Sequence, residues 1–110
     1  MGQKESRGHI PKNLQALELS KVQHDSLKTI LQEHRSKLMN LHEEEEKLEE
    51  MLKELFKSEK FDKESFLAKK ESLKLKMATI ETDFFLKLHG LFNAKQRVLF
   101  AQYIEEWEVE

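Results

Sequence analysis

Between Lys12 and His89 the chain contains neither glycine nor proline. That absence removes the two residues that most readily break a helix or turn a chain. The stretch is filled instead with Leu, Lys, Glu, Ala, Met and Gln, which lose little freedom in a helix, and β-branched residues are few. The chain therefore reads as all-α. Its 110 residues suit a single domain, placed at 11–110. The polar front, 1–10, is expected to be a flexible N-terminal segment.

Local signals divide this helical chain. In Leu19-Ser20-Lys21-Val22-Gln23 a serine precedes a glutamine by three positions. This is a capping box: the hydroxyl accepts from a free N–H of the first turn, and the glutamine reaches back to the cap's own N–H. A long helix is predicted to start at Ser20. A short helix over residues 11–17, with Pro11 in its first turn, is predicted to precede it. Ser58-Glu59-Lys60-Phe61-Asp62 reads as a turn, with Asp62 as the next N-cap. Leu88-His89-Gly90 reads as a helix end with Gly90 in the left-handed position. Phe92-Asn93-Ala94-Lys95-Gln96 repeats the first signal and opens a last helix to about residue 106 or 107, with Phe100, Tyr103, Ile104 and Trp107 on its apolar face. The expectation is four helices: a long antiparallel hairpin flanked by shorter terminal ones.

The long helices carry matching stripes. Leu27, Leu31, His34, Leu38, Leu41, Glu45, Leu48, Leu52 and Leu55 follow one another at alternating steps of four and three, the rhythm of a buried seam. Phe66, Lys70, Leu73, Met77, Ile80, Phe84 and Leu88 form the second stripe. Its charged exception, Lys70, is expected to pair with Glu45 across the hairpin and fix its register. A helix from Ser20 to Lys57 would be roughly 55 Å long, so a slender body is expected. Ile30, Met39, Met51, Leu75, Phe85 and Leu86 lie off the stripes and need a further partner: the terminal helices, a ligand or, most economically, a second copy in a homodimer.

Composition excludes several classes. There is no cysteine, hence no disulfide framework and no thiolate metal site. The net charge of −2 argues against a nucleic-acid partner. No apolar run exceeds the four residues Val98 to Ala101, so no segment spans a membrane.

The two signals, each before a helix and about seventy residues apart, resemble the repeated Leu-Thr-x-x-Gln motif of the Spy/CpxP family of bacterial periplasmic proteins. The tip Lys57 to Lys63 resembles that family's turn as well, and the resemblance spans about residues 13 to 107. Ser20 and Asn93 stand where the motif has Thr, and Phe92 where it has Leu; both polar replacements cap as well as Thr. The resemblance implies a cradle-like antiparallel homodimer in the periplasm, its secretory leader already removed. It implies a chaperone that holds unfolded or partly folded clients without ATP, with a sensor kinase of envelope stress as a possible second partner. Other relatives bind zinc, nickel or cobalt, and an alternative expectation is a metal-binding or metal-sensing protein of this fold. A coiled-coil adaptor without chaperone activity is the other alternative.

The residues are weighed against each. The relatives' metal-binding His pair would fall near Ile10 and Leu14, and their later His and Met near Asp83 and Lys87, so none matches. His9, His24, His34, His42 and His89 include no pair three or four apart, the spacing a helical chelating pair needs. No metal or cofactor is expected. No Ser–His arrangement or Gly-rich phosphate loop points to catalysis, and no enzyme is expected. Charge, however, is segregated: residues 43 to 56 carry seven Glu against two Lys, and residues 57 to 76 seven Lys against four acids. Lysines gather a charged client at long range, and apolar or flexible methionine side chains then hold it. Met39, Lys63, Lys69, Lys70, Lys74, Leu75 and Phe85 are the client-binding candidates. Leu19, Ser20, Gln23, Phe92, Asn93 and Gln96 are the capping-motif residues.

Overall fold

The computed structural model describes residues 17–104. These form three helices and no strand: α1 (Lys21–Lys57), α2 (Lys63–Leu91) and α3 (Ala94–Ala101). The N-terminal segment 1–10 and nearly all of the short helix expected over 11–17 lie outside the described residues, as does Trp107.

Each helix starts where a side chain takes over a free backbone donor. Ser20 caps α1, and the first intrahelical bond, His24 N–H to the Ser20 carbonyl, is 2.8 Å. Asp62 caps α2: its carboxylate accepts from the Ser65 N–H at 3.2 Å and from the Ser65 hydroxyl at 2.8 Å. Those two bonds hold the Asp62 carboxyl below its ordinary pKa. Between the two helices, Ser58 closes α1 by donating its hydroxyl to the Glu54 carbonyl at 2.9 Å.

One expected helix end is corrected. α2 runs through Gly90 to Leu91, and Gly90 does not adopt a left-handed conformation. The Phe92 N–H still bonds the Leu88 carbonyl at 3.1 Å. The chain turns instead at Asn93, in extended geometry with φ −81° and ψ 178°, because the buried Phe92 anchors the backbone and Asn93 supplies the next cap. The guanidinium of Arg97 donates to the His89 carbonyl at 3.0 Å, so a carbonyl near the end of α2 is satisfied without the glycine motif. The expected end of the last helix, near residue 106 or 107, lies outside the described residues; Ile104 is helical, but the helix is interrupted after Ala101. There the N–H groups of Gln102 and Tyr103 bond three residues back, to Leu99 and Phe100, tightening the chain into turns.

The described residues divide into two compact units, 17–33 with 84–104, and His34–Asp83. The first holds a true core. Leu27, Leu31 and Leu88 are completely or almost completely buried, and Leu17, Phe84, Phe92 and Phe100 join them. Phe92 and Phe100 pack with ring centroids 5.5 Å apart. Each such side chain stabilises the fold by about 1.5–3 kcal/mol relative to exposure. Leu19, Ile30 and Phe85 pack against this core from its margin, so two of the off-stripe residues find cover within the chain.

The second unit is an antiparallel hairpin of the distal parts of α1 and α2. Its only buried residues are Leu41 and Leu48. Leu38, Leu55, Phe66, Leu73, Met77 and Ile80, all of the predicted stripes, are half-buried, because two helices cover each other on one side alone. The expected Glu45–Lys70 ion pair is absent. Glu45 lies 3.7 Å from His42, and Lys70 is exposed. The cross-hairpin pairs are Glu44–Lys76 at 2.6 Å and Lys37–Asp83 at 3.4 Å. In the first unit Glu33 pairs with Lys87 at 3.3 Å. Each pair is symmetric in sequence about Lys60. That register sets position 45 opposite position 75, more than a helical turn from Lys70.

Candidate functional site

The two capping motifs meet in the first unit. Both boxes are complete. The Ser20 N–H donates to Gln23 Oε1 at 3.0 Å and the Gln23 N–H to Ser20 Oγ at 3.1 Å. The Asn93 N–H donates to Gln96 Oε1 at 2.9 Å and the Gln96 N–H to Asn93 Oδ1 at 2.8 Å. The two glutamines then bond each other: Gln23 Nε2 donates to Gln96 Oε1 at 2.8 Å, and Gln96 Nε2 to Gln23 Oε1 at 3.1 Å. Gln23 Nε2 also donates to the Leu91 carbonyl at 2.9 Å, and Gln96 Nε2 to the Leu17 carbonyl at 3.4 Å. Gln96 is only 5% exposed, yet every polar atom of its amide is used. The apolar heads of the motifs, Leu19 and Phe92, face the core. The motif residues thus form a structural clasp. Reciprocal bonding between the two glutamines is not written in either motif alone; only their repetition hints at it.

The client-binding candidates do not form one cluster. Phe85 belongs to the first unit, half-buried against its core with its ring 5.4 Å from that of Phe84. It serves packing before it serves a client. Met39, 58% exposed, and Leu75, 68% exposed, lie in the second unit. Lys63, Lys69, Lys70 and Lys74 are exposed on α2. Sequence reasoning passed over the other exposed apolar residues of this unit: Phe56 at the tip is 83% exposed, and Phe61 and Leu67 beside it are also in solvent. They follow the same signal, apolar residues off the stripes, at the place where the stripes end.

Leu75 lines an open groove of about 470 Å³ on one face of the second unit. Its floor is apolar, from Leu41 and Ile80, with Asn40 and Thr79 beside them. The ion pairs Lys37–Asp83 and Glu44–Lys76 close its two ends. A repeated pattern, Lys37…Asn40-Leu41…Glu44 on α1 and Lys76…Thr79-Ile80…Asp83 on α2, is the sequence signal for it.

Two of the described histidines have defined surroundings. His34 is half-buried in the seam; burial, then the positive charges of Arg35 and Lys37, push its pKa below the ordinary value. His42 is exposed, with Nε2 3.3 Å from Glu46. Among the described residues no group of three or more His, Asp or Glu side chains is placed to hold a metal ion; His9 lies outside them. No described helix is long and apolar enough to cross a membrane. No family model, curated protein or solved structure matches the chain.

Proposed function

We propose that the chain is a periplasmic, ATP-independent chaperone of the Spy/CpxP kind, working as a homodimer without a cofactor and without catalysing a reaction. The observation that carries this reading is the surface of the second unit. Large apolar side chains, Phe56 and Met39 on α1 and Leu67 on α2, stand in solvent on the unit that also carries the exposed lysines of α2. Isolated apolar residues are ordinary on a surface, but here they line a body whose own seam is half covered. Such a surface attracts a charged unfolded chain from a distance, touches its apolar segments weakly and releases it without an energy source. The meeting of the two capping motifs supports the family resemblance, since repetition of the motif then has a physical reason.

The test is light scattering from heat-stressed or reduced client proteins mixed with the full chain at up to equimolar ratio, without nucleotide. Slower aggregation of several clients is expected, and its loss on replacing Phe56, Leu67 and Met39 together by Ser. Unchanged scattering with every client refutes the proposal.

A further inference from the structure

The groove of the second unit carries charge in an alternating pattern at its four corners. Lys37 and Glu44 mark the two ends of its α1 side; Asp83 and Lys76 mark the corresponding ends of its α2 side. Lysine thus sits diagonally opposite lysine, and acid opposite acid. The floor repeats the symmetry, with Asn40-Leu41 facing Thr79-Ile80. The hairpin therefore has a local two-fold relation between helices that are not copies of one another.

This pattern selects its own partner. A second copy laid face to face can be related to the first by a two-fold axis along the helices or by one across them. In the first case α1 covers the partner's α2, and Lys37 lands on Asp83 of the partner subunit and Glu44 on the partner's Lys76. In the second α1 covers the partner's α1, and Lys37 lands on the partner's Glu44 and Asp83 on the partner's Lys76. Both operations set lysine on acid at all four corners. An unrelated partner has no reason to alternate in this way. Leu75, 68% exposed in the single chain, would be covered, together with the open side of the half-buried Ile80. We propose that this groove face is the homodimer interface, an isologous contact centred near Asn40 and Thr79. Apolar burial would supply the attraction and the corner charges the orientation.

The inference rests on the dimer within the reading above and not on client holding. Sedimentation equilibrium of the full chain should show a dimer. Leu75→Lys, at an exposed site, should weaken it by about tenfold or more. Lys37→Glu with Lys76→Glu makes all four corners acidic and should give monomers. Adding Glu44→Lys and Asp83→Lys restores the alternation with every sign reversed and should restore the dimer. The chain has no cysteine, so cross-linking is clean: Asn40→Cys should link to itself, or to Thr79→Cys in a mixture, while Glu46→Cys should not link. Circular dichroism on each variant confirms retained helix. A monomeric wild type overturns the proposal. So does a dimer indifferent to Leu75→Lys and to the corner reversals. A dimer through this face that leaves client aggregation unchanged sinks the chaperone reading alone, and a monomer that suppresses aggregation sinks this inference together with the dimer of that reading while client holding stands.

Discussion

Gln23 and Gln96, 73 residues apart, exchange hydrogen bonds through their side-chain amides while each also closes a capping box on its own helix. One amide oxygen in each case serves both a backbone N–H and the opposite amide, and one amide nitrogen serves both a carbonyl and the opposite oxygen. The starts of α1 and α3 are thereby tied to each other as well as to their own first turns.

Such sharing predicts non-additive losses. Gln96→Ala should cost about 2–3 kcal/mol, since it removes a cap partner and leaves buried groups unsatisfied. Gln23→Ala should cost about 1–2 kcal/mol, because its cap is exposed. The double variant should fall short of the sum by about 1 kcal/mol. Urea denaturation of the four proteins measures the cycle, and strict additivity would mean that the amide pair contributes nothing.

Gly90 gives the opposite sign. It lies within α2, and a β-carbon built there meets nothing within 4 Å. Gly90→Ala should therefore stabilise the chain by about 0.5–1 kcal/mol, mainly by restricting the unfolded state. Had this residue been the left-handed end that the sequence suggested, the same change would destabilise it. A thermal melt decides between them.

His34 makes stability depend on pH. Its folded pKa lies below the ordinary 6.5, so the unfolded chain binds the proton more readily. Stability should be unaffected by this group above pH 6.5 and fall as the pH drops from there through the folded pKa. NMR titration should place the His34 midpoint below 6.5, and Lys37→Ala should move it upward by removing a nearby positive charge. His34→Leu should flatten the pH dependence of the denaturation midpoint over that window. A midpoint at or above 6.5 contradicts the burial of the ring.

Much of this architecture was legible in the residues. Leu27, Leu31, Leu41 and Leu48 occupy the buried positions that their spacing assigns, and Ser20, Asp62 and Asn93 start helices as their side chains dictate. Helix faces and caps are local properties, so a single sequence carries them. Register is not local. The heptads say that α1 and α2 face each other, but a small displacement of the turn moves Glu45 from Lys70 to the level of Leu75. Gly90 misled for a related reason: glycine permits a left-handed end without requiring one, and the anchor that decided the matter was Phe92. Phe85 looked free because its stripe is defined by α2 alone, whereas the core that receives it is assembled from both ends of the chain. The groove escaped notice because its pattern becomes meaningful only when two helices are laid antiparallel.

That assembly from both ends has a consequence for biosynthesis. Leu27 and Leu31 emerge early, but Leu88, Phe92 and Phe100, which share their core, are made only after all of His34–Asp83 has been translated. A nascent chain must therefore carry Leu27 and Leu31 without that cover until the whole intervening hairpin has been made, and closing so distant a contact is slow compared with forming the local tip. Truncation before Leu88 would remove Leu88, Phe92 and Phe100 together and strip Leu27 and Leu31 of that shelter.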